Sequence, residues 1–325
     1  MKQGPDSGSA ASRPVRTRAH EVALETDSRR PEPIEAGHAR EPGNWIARIL
    51  LVFVTVWIAH ALITNPGFEW DVVGEYLFAP EILTGTAVTA QLVALSMFIA
   101  IVLGIVLGVM RLSHNSAAYL ASSAYVWFFR GTPVLVQLIF WYNIATLYPQ
   151  FTLGIPFGGP DFVSVESNRV MTSFTAAVIG LSLNEAAYYA EIVRAGILSV
   201  DRGQTVAARA LGFTPVQVIR RIVLPQAMRA IVPPTGNQII AMLKYSALAS
   251  VIAVPELLHS AQSIYNRTFG TIPLLIVASI WYLVLVTVLS IGQRYVERYF
   301  SRGHLDDGQD RFAALKRRMP ILRKL

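Results

Sequence analysis

Between Glu81 and Arg111 the chain carries no ionisable side chain. A soluble helix of that length needs a strongly polar face, and this stretch offers none. About 20 mainly apolar residues suffice to cross a bilayer. That yardstick marks six spans, at Trp45–Thr64, Gly85–Met110, Pro133–Tyr148, Thr172–Val193, Ile231–Val254 and Ile272–Gln293. In hydrocarbon every backbone polar group must be paired within the protein, so helices are the economical solution. The sequence therefore predicts an all-α, polytopic membrane helix bundle. Composition agrees, with 53% apolar and 15% charged residues, against about a quarter charged in soluble domains.

Lys and Arg fall on alternate sides of these spans. The stretch after span one has none, but holds Glu69, Asp71, Glu75 and Glu81. Arg111 and Arg130 follow span two, and only Arg169 follows span three. Six arginines from Arg194 to Arg229 follow span four, and only Arg267 follows span five. Nine basic residues follow span six. By the positive-inside rule both termini face the cytoplasm. The net charge of +7 is then a matter of topology, and nucleic acid is not needed to explain it. Ala59-His60-Ala61 has the small-x-small look of a cleavage site. Some forty residues with as many acids as bases precede that run, unlike a short positive n-region, so span one is read as retained. Residues 1–44 read as a disordered cytoplasmic tail. Residues 300–325 form a basic tail, for which a place on the anionic inner leaflet and a solvated state are both open.

There is no cysteine, which excludes disulfides, thiolate metal sites and a cysteine nucleophile. The six histidines lack metal-ligand spacing, no catalytic constellation is evident, and no phosphate-binding loop is found.

The cytoplasmic stretch 201–225 looks built. Asp201 can cap a helix, with Gln204 placed as a capping-box partner. "QTVAARAL" is a strong helix former. Gly212 stands where a left-handed C-cap is wanted. Thr214 caps a second helix that begins at Pro215 and is expected to stop before Pro225. Val216, Ile219 and Val223 share one face; Gln217, Arg220 and Arg221 share another. The residues alone leave two readings, a rigid docking hairpin or a connector on the headgroups.

The spacing Val206-Ala207-Ala208, then Gly212, then Ile222-Val223-Leu224-Pro225 resembles the EAA loop of ABC-transporter permeases. Val206 departs from that pattern, since the family has an acid there. "TGTAVTAQLVALSMFIAIVLGIVLGVMRLS", "FFRGTPVLVQLIFWY", "EAAYYAEIVRAGILSVDRGQ" and "NQIIAMLKYSALASVIAVPEL" are similar to the polar amino-acid branch, the histidine, glutamate, glutamine, arginine and opine permeases. The likeness covers about Thr84 to Tyr299, so residues 45–83 stand outside the permease domain of 84–299. It implies a bacterial inner-membrane permease subunit of an ATP-driven importer. The implied partners are a cytoplasmic ATPase dimer that docks the EAA loop, an extracytoplasmic amino-acid-binding protein and a second permease subunit. The chain itself would bind no cofactor, since ATP is used by the partner.

Ionisable groups inside spans are functional candidates by default. Glu185 and Lys244 lie near the middle of spans four and five. An α-amino acid offers an ammonium and a carboxylate, which such a pair can contact; equally, the two can pair with each other. Asn184, Asn237 and Ser246 add polar groups at similar depth; Asn184 can equally bond between helices, and Asn237 follows Pro233-Pro234, where a helix break would expose carbonyls. Glu191 and Arg194 read as an ordinary i, i+3 pair. Gly104 and Gly108 read as a helix-packing pair. Two other classes compete with the importer reading. They are an ion-coupled secondary transporter, which has no use for an EAA loop, and a membrane enzyme, which lacks a catalytic constellation here.

Overall fold

The computed structural model describes residues 43–154 and 161–300. The two predicted tails lie almost wholly outside the described residues. The chain divides into two units at Asn65/Pro66. The first contributes one described helix, α1 (Gly43–Thr64). It is long and apolar enough to cross a membrane, as the sequence predicts for span one.

The second unit is built around two long helices. After the short α2 (Trp70–Tyr76) comes α3 (Pro80–Met110), 31 residues long. At about 1.5 Å per residue α3 reaches about 46 Å, well beyond a hydrocarbon core of about 30 Å. It starts five residues before the predicted span because Pro80 takes its first position, where a missing N–H needs no partner. The other is α8 (Ser173–Leu198), capped by Thr172, whose hydroxyl accepts the Thr175 N–H.

Between them the structure departs from the sequence reading. Residues expected to be a loop form α4 (Ser116–Gly131), capped by Asn115. Pro133 forces Thr132 into extended backbone, as a residue before proline prefers. Helix α5 (Val134–Tyr142) then restarts the chain and is followed by the short α6 (Ile144–Leu147). Predicted span three, Pro133–Tyr148, is thus not one helix but the last part of a broken one. An antiparallel hairpin of β1 (Gln150–Gly154) and β2 (Asp161–Glu166) follows, pairing Phe151 with Val165 and Thr152 with Ser164. The hairpin departs from the all-α expectation, although its β-branched and aromatic residues suit strands. The single turn α7 (Ser167–Val170) leads into α8.

Helix α8 is followed by α9 (Arg202–Ala210), α10 (Pro215–Val218), a π-helical turn (Ile219–Val223) and α11 (Leu224–Tyr245). A 3-10 turn (Ser246–Ile252), α12 (Leu257–Thr268) and α13 (Thr271–Phe300) complete the described chain. Among the described residues α1, α3 and α13 meet the length and apolarity of a span, and Pro215–Ile252 with Leu257–Thr268, bent by 45° at their break, meets it when the pair is taken together. Helix α8 falls outside that group because Asn184, Glu185, Glu191 and Arg194 interrupt it. It is instead the buried centre of the bundle, packed by α3, α4, α5 and α11.

The α3–α8 contact depends on the two small residues the sequence singles out. A Cβ on Gly104 would lie 2.7 Å from Tyr189 Cβ and 3.0 Å from the Ala186 carbonyl. One on Gly108 would lie 2.9 Å from Val193 Cβ. Glycine at both positions lets the helix axes approach. Leu92, Met97, Leu138, Leu181 and Met242 belong to one core cluster, and Ala100, Leu107, Val126 and Ala190 to a second.

Candidate functional site

The stretch 201–225 is a preformed hairpin. Asp201 accepts the Gly203 N–H and starts α9. Gln204 does not close a capping box with it. Its side-chain oxygen instead receives the Gln226 amide, which ties α9 to the start of α11. At the far end Gly212 has φ +83°. The Phe213 N–H bonds the Ala208 carbonyl at 3.1 Å, and the Gly212 N–H bonds the Arg209 carbonyl at 2.9 Å. These two bonds define the Schellman turn. Thr214 and Gln217 then form a full capping box, 3.3 Å from the Gln217 N–H to the Thr214 hydroxyl and 2.9 Å for the reciprocal bond. Arg221 sits over the Phe213 ring.

The second helix does not stop at Pro225 as the sequence predicts. Proline lacks the donor that an α-helical ladder needs there. The π turn absorbs the defect, with the Leu224 N–H reaching back to the Ile219 carbonyl, and Pro225 falls in the first turn of α11. Val216 and Ile219 of the predicted apolar face both turn outward. Val216 and Ile219 are 71% and 58% exposed, and Val218, at 3%, is the residue turned inward. Ala208 is buried while Val206 and Ala207 face out. Ile222 is half-buried and Leu224 and Pro225 are exposed. The hairpin thus presents Val206, Leu211, Val216 and Ile219 as apolar side chains with no cover among the described residues.

The predicted pathway residues are not one cluster. Glu185 is buried at 2% exposure, its Oε1 lacks a hydrogen-bond partner, and the Gln238 amide of α11 faces the carboxyl. Lys244 is exposed on α11 and forms no ion pair with Glu185. Asn184 donates to the Phe129 carbonyl at 2.8 Å and to Gln137 Oε1 at 3.3 Å, so its amide holds the α4–α5 break. Gln137 completes that joint through Thr132. Ser246 is fully buried and donates to the Leu243 carbonyl. Asn237 is exposed and accepts from Gln293 of α13 at 3.1 Å. The predicted break at Pro233-Pro234 is absent, because α11 runs through both prolines; Gln293 also approaches the Pro233 carbonyl.

Two polar clusters exceed what the sequence indicates. Glu191 pairs with Arg194 at 2.9 Å as expected, but it also pairs with Arg111 and lies 3.8 Å from Arg130. Glu256, not singled out in the sequence, is completely buried. Its carboxylate accepts the Leu258 and His259 N–H groups at 3.0 and 2.8 Å and the Tyr282 hydroxyl at 2.7 Å. Thr89 of α3 accepts the Leu257 N–H beside it. The carboxylate therefore caps α12 and joins it to α3 and α13. The one local signal for this role is the Glu after Pro255, an N-cap position.

Residues 100–302 match the family model described as "binding-protein-dependent transport system inner membrane component". The arginine transport system permease protein ArgU of Corynebacterium glutamicum is 44% identical over 276 residues, which cover 84% of this chain and 85% of that protein. The arginine transport system permease protein ArtQ of Bacillus subtilis is 36% identical over 67% of this chain and 92% of its own length. A crystal structure of an amino acid ABC transporter with histidines superposes with a TM-score of 0.59 at 35% identity, covering 70% of this chain and 98% of that one.

Proposed function

The chain belongs to the binding-protein-dependent transport system inner membrane component family, and from that premise we propose that it is the permease subunit of an ATP-driven importer of polar amino acids. The observation that carries the reading is the hairpin of residues 201–225. Its two turns are fixed by local hydrogen bonds, and its apolar side chains are uncovered. A rigid, half-apolar projection of this kind suits insertion into a cleft of a cytoplasmic ATPase. Exposed Val206, where relatives of the resemblance carry an acid, suits an apolar patch in that cleft. ATP is bound and hydrolysed by the partner, and this chain holds no cofactor.

In this reading the chain crosses the bacterial inner membrane six times with both termini inside, α4 and α5 together supplying the third crossing. Two permease subunits enclose the pathway, and an extracytoplasmic binding protein delivers the solute. Glu185 offers a carboxylate and Lys244 an ammonium toward the two ends of an α-amino acid. Arginine is the first solute to try, because the ArgU and ArtQ relatives are named for it.

The test is capture of the detergent-solubilised chain from its native membrane, with companions identified by mass. The reading requires a cytoplasmic ATPase in the eluate. A chain that comes down alone, and still supports amino-acid uptake, would overturn it.

A further inference from the structure

The Arg111–Arg130–Glu191 cluster lines an open cavity of about 430 Å³ between the end of α3, the C-terminal half of α4 and α8. Three guanidiniums, those of Arg111, Arg130 and Arg194, surround the single carboxylate of Glu191. Three positive charges less one negative leave a formal surplus of two. Two donors at the cavity, Arg111 Nε and Ser123 Oγ, are buried without a protein partner. Buried donors of this kind ask for an acceptor. The Arg130 guanidinium carbon stands over the Tyr188 ring, 5.1 Å from its centre, a cation–π contact that helps hold it at the cavity.

The surroundings define the acceptor. The C-terminal end of α3 is the cytoplasmic end by the positive-inside rule. Beside the arginines the cavity is lined by Val126 and by Trp127, which is 77% exposed; Leu120 and Phe128 are exposed elsewhere on the same helix. A cationic pocket set in an apolar rim at the cytoplasmic interface is the chemistry that recognises a lipid headgroup. The geometry points to a binding site for the phosphate of an anionic lipid of the inner leaflet. Arg130 and Arg111 would hold the phosphate, Ser123 would donate to one of its oxygens, and Trp127 would lie along the upper acyl chain. Glu191 keeps the arginines gathered and the site selective for a single anion. The site bridges α3, α4 and α8, so an occupying lipid stiffens the joint between the central helices. This inference does not depend on which solute the chain carries.

The test is native mass spectrometry of the full-length chain, titrated with phosphatidylglycerol, with phosphatidylcholine and with inorganic phosphate. The site predicts retention of phosphatidylglycerol over phosphatidylcholine, with no displacement by millimolar-range phosphate. Arg130→Gln should weaken phosphatidylglycerol retention about fivefold, the scale of one basic residue near an anionic leaflet. Arg130→Lys should recover most of it, and Arg267→Gln, far from the cavity, should leave it unchanged. Equal retention of the two lipids overturns the proposal, as does an Arg130→Gln chain, with wild-type thermal stability, that binds like the parent. Inorganic phosphate that binds at the cavity as tightly as the lipid overturns the lipid assignment.

Discussion

Gly212 gives the docking hairpin its sharpest test. Its φ of +83° lies in the left-handed region, and a Cβ built on it meets no atom within 4 Å. Substitution therefore creates no clash, and its cost is torsional alone. For an ordinary L-residue that cost is about 1–2 kcal/mol, equivalent to about a 5- to 30-fold change in the population of the native turn. Where a partner binds only the closed hairpin, its apparent affinity falls by at most that factor. Gly212→Ala should thus weaken ATPase association by up to about 5- to 30-fold. Gly212→Asn should weaken it less, because asparagine tolerates this conformation. Gly212→Pro should abolish it, since proline fixes φ near −65° and removes the N–H that bonds the Arg209 carbonyl. All three chains should insert normally, because the proposed topology puts the substitution outside the membrane. The assay is surface-immobilised ATPase against solubilised permease, with membrane fractionation as the insertion control. If alanine and proline variants bind like the parent, the hairpin is not the docking element.

Three further outcomes follow from the packing. Gly104→Val drives a branched side chain into Tyr189, which should cost about 1–3 kcal/mol or more and lower the melting temperature in detergent; an unchanged melting temperature contradicts the close α3–α8 approach. Glu256→Ala leaves the Leu258 and His259 N–H groups and the Tyr282 hydroxyl without their acceptor, at about 1–3 kcal/mol for each orphaned group; Glu256→Gln, which keeps an acceptor oxygen, should lose clearly less in the same melt, and equal losses refute the capping role. Lys244→Met should raise the KM for uptake while ATPase association stays intact, and an unchanged KM removes Lys244 from the pathway.

What the sequence reveals, and what it hides, follows from the range of the interactions. The hairpin is legible because Asp201, Gly212 and Thr214 act on neighbours within a few residues. The Gly104–Gly108 pair is legible because small residues four apart on a helix have few other uses. The third span is misjudged because the residues before Pro133 are themselves a helix, α4, whose joint with α5 is held by the nearby Gln137 and by Asn184 of α8, far along the chain. Ser246 looks like a pathway group in sequence, yet its hydroxyl is taken up by the Leu243 carbonyl; the Asn184 amide bonds between helices, the other use its sequence position allows. Glu256 is inconspicuous because its surroundings come from Thr89 and Tyr282, far away along the chain. The exposure of Val216 and Ile219 escapes a helical-face argument because periodicity groups residues on one face without telling whether anything covers that face.

The most direct measurement of the central claim is uptake of labelled arginine into proteoliposomes that contain this chain, its ATPase and its binding protein. The account predicts accumulation that requires ATP and the binding protein, and that stops when the ATPase is omitted. Uptake by this chain alone, driven by an ion gradient in vesicles without ATP, would contradict it.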